Sequence, residues 1–260
     1  MANIAKRKKI AAKNLKFKND PMVRFYDHIQ DWLQEKTRPV LIGLAVIVGL
    51  VVVYFLGSWF FSNRETKAAV AYAQAFDKYK APVLEPDATA TAQTGTFYTD
   101  ENLKWAETAQ AFEQVAIDYP SYYGAIGNYY AGVAYLRSNR DKGLQLLKKA
   151  ADTNEQPTSD LAQLAIAENY YATGDAKGSI PLYEKLLKST YLPNQAIQTS
   201  LGHAYEKAGE TEKAVAAYFE AAKVARATTA TSEAEKRLSA LAPEKIKELP
   251  AYDPLANATP

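Results

Sequence analysis

The sequence predicts an all-α protein: one membrane-spanning helix followed by a short solenoid of about four helix pairs. Three observations lead there. Twenty-five residues between Arg38 and Arg64 carry no charge. Phe112, Leu147, Tyr183 and Tyr218 recur at spacings of 35, 36 and 35. Residues 64–260 hold no alternating apolar–polar run of useful length, which removes the strand signature.

The chain opens with a basic tail, residues 1–20, carrying Lys6, Arg7, Lys8, Lys9, Lys13, Lys16 and Lys18. Such a tail either contacts nucleic acid or lies against an anionic bilayer leaflet, where each Lys or Arg contributes ~1 kcal/mol. The lipid surface is the expected partner, with no nucleic acid. Residues 21–38 follow as an amphipathic juxtamembrane helix. Asp20 is a candidate N-cap, Pro21 suits the first helical position, and Met22, Phe25, Tyr26, Ile29, Trp32 and Leu33 recur at helical spacing. That face lies on the membrane surface or docks a membrane partner.

Residues 39–63 form the transmembrane helix. Val40 to Phe61 is almost wholly apolar, and its length of ~33 Å at 1.5 Å per residue crosses a hydrocarbon core of ~30 Å. Only a helix satisfies its own backbone polar groups there. A cleaved signal peptide fits poorly: the apolar run exceeds the usual ~7–15 residues, and no small-x-small site follows it. Instead Trp59, Phe60 and Phe61 supply interface aromatics, as Trp32 does on the other side. Gly43 and Gly49 do not make a Gly-x-x-x-Gly pair, so no tight self-dimerisation signal is present.

Charge orients the segment. Residues 1–38 hold ten Lys/Arg against four acids, whereas the remainder carries 21 basic and 25 acidic residues. By the positive-inside rule the N-terminus stays in the cytoplasm and the C-terminal part is translocated.

Residues 64–228 form the repeat domain. Beside the series above, Tyr135, Tyr170 and Tyr205 recur at 35 and 35. Asn139, Gly174 and Gly209 fall at the turns between helices, where left-handed backbone is useful. The last unit reads Leu201, Gly202, Tyr205, Gly209, Ala214, Tyr218 and Ala221. The preceding one reads Ile166, Ala167, Tyr170, Gly174, Ser179, Tyr183 and Leu186. The one before offers Ala131, Gly132, Tyr135, Asn139, Gly143, Leu147 and Ala150, and Pro120 closes the earliest unit. This pattern resembles the tetratricopeptide repeat. The first unit is split: Glu65 to Ala81 continues the anchor as a helix, residues 82–102 form a polar loop insertion, and helix resumes near Leu103. Residues 229–260 are expected to hold a capping helix, Thr231 to Leu241, and a flexible C-terminal tail, since terminal repeats need a polar outer face.

The composition argues against an enzyme. There is no cysteine, and His28 and His203 are the only histidines. No metal-ligand cluster, phosphate-binding glycine loop or paired carboxylate site is evident, so no catalytic residue, cofactor, metal or small-molecule substrate is expected. A repeat array instead offers a concave surface for proteins. The resemblance places its protein-binding groove at Ile126, Tyr129, Val133, Leu136 and Arg137, then Leu161, Leu164, Glu168 and Tyr171, then Ala196, Thr199, His203, Glu206 and Lys207. Tyr129, Leu164 and Thr199 occupy one of the key rows where carboxylate-clamping repeats use Lys, Asn and Arg, which argues against a chaperone-tail clamp. The C-terminal helix or the 82–102 insertion is an alternative occupant of this face.

Cytoplasmic tail, single anchor and short external array, with Tyr123-Gly124-Ala125 opening a repeat helix and Leu144 to Ala151 preceding a polar linker, resemble the YfgM-type ancillary subunits of the SecYEG translocon. The resemblance covers residues 21–240. It implies a single-pass protein of the bacterial inner membrane with a periplasmic repeat domain. It further implies a scaffold or chaperone-adaptor between the SecYEG translocon and a PpiD-like membrane-anchored chaperone. Two other readings stay open: a repeat module of another cell-envelope assembly or division complex, and an enzyme accessory or sensor subunit whose basic tail signals inside.

Overall fold

The computed structural model describes residues 21–35, 37–84, 96–226 and 232–251. The expectations for the basic tail with Asp20, for the middle of the 82–102 insertion, for residues 227–231 and for the last nine residues lie outside them. The chain divides into two units, Met1–Arg64 and Glu65–Pro260, and every regular element among the described residues is helical.

The first unit holds α1, Pro21–Glu35, and the beginning of α2, Thr37–Lys80. On α1, Met22, Phe25, Tyr26 and Ile29 are exposed, and Trp32 lies within the same helix. In α2 the apolar window is long enough to cross a membrane, and none of it is buried. The core helix of a water-soluble protein would hide such residues. Here Leu41 is 61% exposed and Phe55 66%, and Trp59, Phe60 and Phe61 are also exposed. One helix therefore has the length and apolarity of a membrane span.

In the second unit the end of α2 buries Ala68 and Ala75 beside α3, Glu101–Asp118. Then follow α4 (Pro120–Tyr135), α5 (Arg140–Ala151), α6 (Thr158–Ala172), α7 (Ala176–Leu186), α8 (Asn194–Lys207), α9 (Thr211–Ala225) and α10 (Glu233–Leu241), with a 3₁₀ turn at Pro243–Glu248. From α3 onward each helix packs on the next in chain order. Weaker contacts join alternate helices, α4 to α6 and α8 to α10. The periodic residues fill one place in each pair: Phe112 (0% exposed), Leu147 (0%), Tyr183 (2%) and Tyr218 (0%) sit on α3, α5, α7 and α9.

Small residues set how closely the paired helices cross. A Cβ built on Gly132 of α4 would lie 2.7 Å from Leu147 Cγ and 3.0 Å from the Gly143 carbonyl oxygen of α5. One on Gly202 of α8 would lie 2.5 Å from the Tyr218 ring of α9. At the equivalent place on α6, Ala167 is wholly buried. The turns within the pairs use two devices. Gly174 (φ 94°) and Gly209 (φ 81°) take the left-handed conformation expected of them. Asn139 departs from that expectation: at φ −145° it caps α5, accepting a hydrogen bond from the Lys142 amide at 3.1 Å. A side-chain acceptor there satisfies one of the orphan amides that every helix start presents. Asp100, Asp175 and Ser232 cap α3, α7 and α10 in the same way.

The described ends of the 82–102 insertion are pinned together. The Leu84 amide donates to the Tyr98 carbonyl at 2.8 Å, and the Tyr98 amide to that of Pro82 at 3.0 Å. Tyr98 is buried, and its hydroxyl donates to Glu107 at 3.0 Å, which also receives Lys78 at 2.5 Å. Helix α3 starts at Glu101, two residues before the position expected from the sequence.

Candidate functional site

The candidate groove residues fall on α4, α6 and α8, the first helices of successive pairs, except Leu136 and Arg137, which lie in the turn just past the end of α4. At 100° per residue, Ile126, Tyr129 and Val133 share one face of α4, and Leu161, Leu164, Glu168 and Tyr171 share one face of α6. Apart from exposed Glu168, these side chains are half-buried. Tyr129 and Val133 pack against the core cluster around Leu147 and Ile166, and Leu164 and Tyr171 against that around Tyr183 and Tyr218. Their inner edges are thus held in place, which orients a preformed surface.

Electrostatics tie the helices together. Burial, followed by the neighbouring Tyr130, Tyr79 and Glu168, pushes the Tyr129 hydroxyl up to about 12. Glu168 is open to solvent yet walled by surrounding atoms, and this partial desolvation lifts its carboxyl above the ordinary value. Lys207 of α8 donates to the Tyr171 carbonyl at 3.0 Å and lies 4.5 Å above the Tyr171 ring.

At the far end, the Tyr218 hydroxyl sits 2.7 Å from His203 Nδ1 and donates to Glu206 at 2.8 Å. Burial and then Arg237 hold the His203 imidazole below its ordinary pKa, against the opposing pull of Glu206 and Glu233. Arg237 of α10 also reaches Glu206 at 3.6 Å. Helix α10 buries Ala234 and Leu238 in the α8–α9 core, so among the described residues it covers the Glu206 end of the surface.

Three predicted positions are engaged elsewhere. Leu136 approaches Gly143 at the α4–α5 crossing and packs into the core. Arg137 stacks 4.3 Å from the Trp105 ring and pairs with Glu101 at 3.1 Å, turning toward α3. Thr199 donates its hydroxyl to the Gln195 carbonyl of its own helix at 2.8 Å, and Ala196 is exposed about two turns before His203.

The structure also gathers residues outside the candidate groove. Tyr72 and Tyr123 stack at 4.7 Å, Phe112 and Tyr130 at 4.8 Å, and Tyr79 meets Tyr130 at 5.2 Å and Trp105 at 5.7 Å. This aromatic cluster joins the end of α2 to α3 and α4; the helical spacing of Tyr72, Phe76 and Tyr79 and the periodic Phe112 marked part of it in the sequence. Asp160 is buried and accepts the Ser189 hydroxyl at 2.5 Å, tying α6 to the turn before α8. Among the described residues no group of three or more His, Asp or Glu side chains has the arrangement of a metal site. No protein family, curated protein or solved structure matches this chain.

Proposed function

We propose that the chain is a single-pass membrane protein whose tetratricopeptide-type solenoid binds proteins. In this reading it serves as a scaffold or chaperone-adaptor beside the Sec export channel of a bacterial inner membrane. The N-terminus is cytoplasmic and the second unit periplasmic. The partners are the SecYEG translocon and a membrane-anchored chaperone of the PpiD kind. The protein acts by position and recognition, without catalysis.

The observation that carries the reading is the face shared by Tyr129, Leu164, Glu168 and Tyr171. It lies on the first helices of consecutive pairs, in a chain that also holds a helix whose apolar window is unburied. Support also comes from the equivalent burial of Phe112, Leu147, Tyr183 and Tyr218 at a period near 35 residues. Each pair cannot bury its own apolar side alone, and stacking leaves one continuous surface open. The flanking charge asymmetry supports the orientation.

The test is affinity purification of the intact protein from membranes solubilised in mild detergent. Co-purification of channel subunits and a periplasmic chaperone is expected. Recovery of envelope-assembly or division proteins in their place would move the chain to that complex and refute the export assignment.

A further inference from the structure

We propose that the cavity between α5, α6 and α7 receives a glutamate side chain of a partner protein, whose carboxylate takes the place of an acid that this repeat lacks. The proposal rests on the reading of the chain as a protein-binding module and adds a second contact to the groove.

The repeat builds two carboxylate cradles of its own. At the α3–α4–α5 junction Glu113 accepts hydrogen bonds from Tyr135 at 2.8 Å and Lys142 at 2.7 Å, and Lys142 lies 4.2 Å from the Tyr135 ring. Lys149 adds an attractive field at this carboxylate. At the α7–α8–α9 junction Glu184 accepts from Tyr205, and Lys213 lies 5.3 Å from the Tyr205 ring. The two acids, the two tyrosines and the two ring-covering lysines are 71, 70 and 71 residues apart, two periods of the repeat.

The junction midway between them is unfinished. Tyr170 keeps the tyrosine, and Lys185 stands one period after Lys149. Lys148, however, occupies the place of the acid and Gly178 that of the ring-covering lysine. With no side chain at Gly178 the Tyr170 ring is uncovered, and Lys148, Ile166, Tyr170, Leu182 and Lys185 wall a cavity of about 270 Å³. Among the described residues the Tyr170 hydroxyl has no hydrogen-bond partner, and neither Lys148 nor Lys185 is in an ion pair. That hydroxyl is open to solvent, and both lysines are exposed, so an incoming group reaches all three donors.

The flanking junctions identify the occupant, since each places a glutamate carboxylate against the equivalent tyrosine. Hydrogen bonds to an ionised acceptor are about twice as strong as neutral ones. Ile166 and Leu182 match the methylenes of a glutamate stem, and Asp152 leaves the two lysines a net positive charge. Pockets for drug-sized ligands span ~300–1,000 Å³, so this one suits a single side chain. It is distinct from the groove, because Ile166 and Tyr170 lie on the side of α6 opposite Leu164, Glu168 and Tyr171.

The experiment titrates the full-length protein in mild detergent with the capped peptide acetyl-Ala-Ala-Glu-Ala-Ala-amide, followed by saturation-transfer NMR. Saturable binding is expected, at least tenfold tighter than for the glutamine-centred peptide, which lacks the charge. Tyr170→Phe should weaken binding about tenfold and leave the thermal midpoint unchanged, because its hydroxyl bonds nothing within the described protein. Tyr135→Phe, in a filled cradle, should lower the midpoint by ~2–4 °C and leave peptide binding intact. Lys148→Glu supplies the missing acid from the chain itself and should abolish peptide binding. On that background Tyr170→Phe should also lower the midpoint by ~2–4 °C.

The proposal is overturned by absence of saturable binding, by equal affinity for the glutamine-centred peptide, or by undiminished binding to Tyr170→Phe. A midpoint insensitive to Tyr170→Phe in the Lys148→Glu background overturns it too. Butyrate bound as tightly as the peptide would assign the cavity to small free acids and likewise overturn it. Failure of these titrations alongside intact co-purification strikes this site alone. Saturable binding without co-purifying channel subunits strikes the export assignment and leaves the site standing.

Discussion

Gly132→Ala adds one methyl group where α4 crosses α5, and the geometry fixes its effect. The new Cβ would lie 2.7 Å from Leu147 Cγ, 3.0 Å from the Gly143 carbonyl oxygen and 3.0 Å from the Leu147 amide nitrogen. Two of these are backbone atoms and Leu147 is wholly buried, so relief requires the helices to part. Overpacking of this kind costs ~1–3 kcal/mol, and rigid neighbours place it near the upper end. Alanine is favoured over glycine inside a helix by ~1 kcal/mol, leaving a net loss of about 2 kcal/mol. For a domain of ~150–250 residues that lowers the melting midpoint by ~4–8 °C. Gly124→Ala is the matched control, because its added Cβ meets only Pro120 Cβ, at an ordinary 3.8 Å. It should raise stability by up to ~1 kcal/mol through propensity alone. Thermal melts followed by far-ultraviolet circular dichroism compare the two. The reasoning is refuted if Gly132→Ala melts at or above wild type, or if both substitutions shift the midpoint alike.

Three further outcomes follow from the second unit. Tyr218→Phe keeps the buried ring but removes its bonds to His203 and Glu206, and should lower stability by ~1–3 kcal/mol in denaturant unfolding. His203 has a folded-state pKa below its ordinary 6.5, so the unfolded chain takes up its proton first. Stability from this group is complete above pH 6.5 and falls as pH drops from there to the folded value. His203→Gln should flatten that part of the pH–stability curve. Glu113 behaves as a depressed carboxylate: burial raises its pKa, but hydrogen bonds from Lys142 at 2.7 Å and Tyr135 at 2.8 Å outweigh it. Its contribution is present above pH 4.5 and lost as pH falls through the lower folded value, and Lys142→Met should shrink that acid loss, measured as midpoint against pH.

The helical architecture was legible because one physical demand repeats. Phe112, Leu147, Tyr183 and Tyr218 fill the same site in successive pairs, so each had to be large and apolar, and the period appears in the chain. Gly174 and Gly209 were legible for a similar reason, since their positive φ admits few other residues. What escaped depends on contacts that no period records. Arg137 finds Glu101 and Trp105 on α3, Arg237 reaches Glu206 from a helix beyond the last repeat, and Tyr98 is held by Glu107 and Lys78 across the insertion. Asn139 could serve a turn as a left-handed residue or as a cap, and it serves as the cap of α5. Transferring groove positions by spacing put Leu164, Glu168 and Tyr171 along one face of α6. It had no means of seeing that Leu136 turns into the α4–α5 crossing.

The central claim is that the face of α4, α6 and α8 binds proteins at the membrane. A photocrosslinking amino acid placed at Leu164 or at Tyr129, in the full-length protein within native membranes, tests it most directly, with exposed Glu212 on α9 as the control position. The account predicts discrete adducts with export-channel subunits or a membrane-anchored chaperone from the two groove positions, and none from Glu212. Adducts absent from both groove positions, or identical to those formed from Glu212, would contradict it.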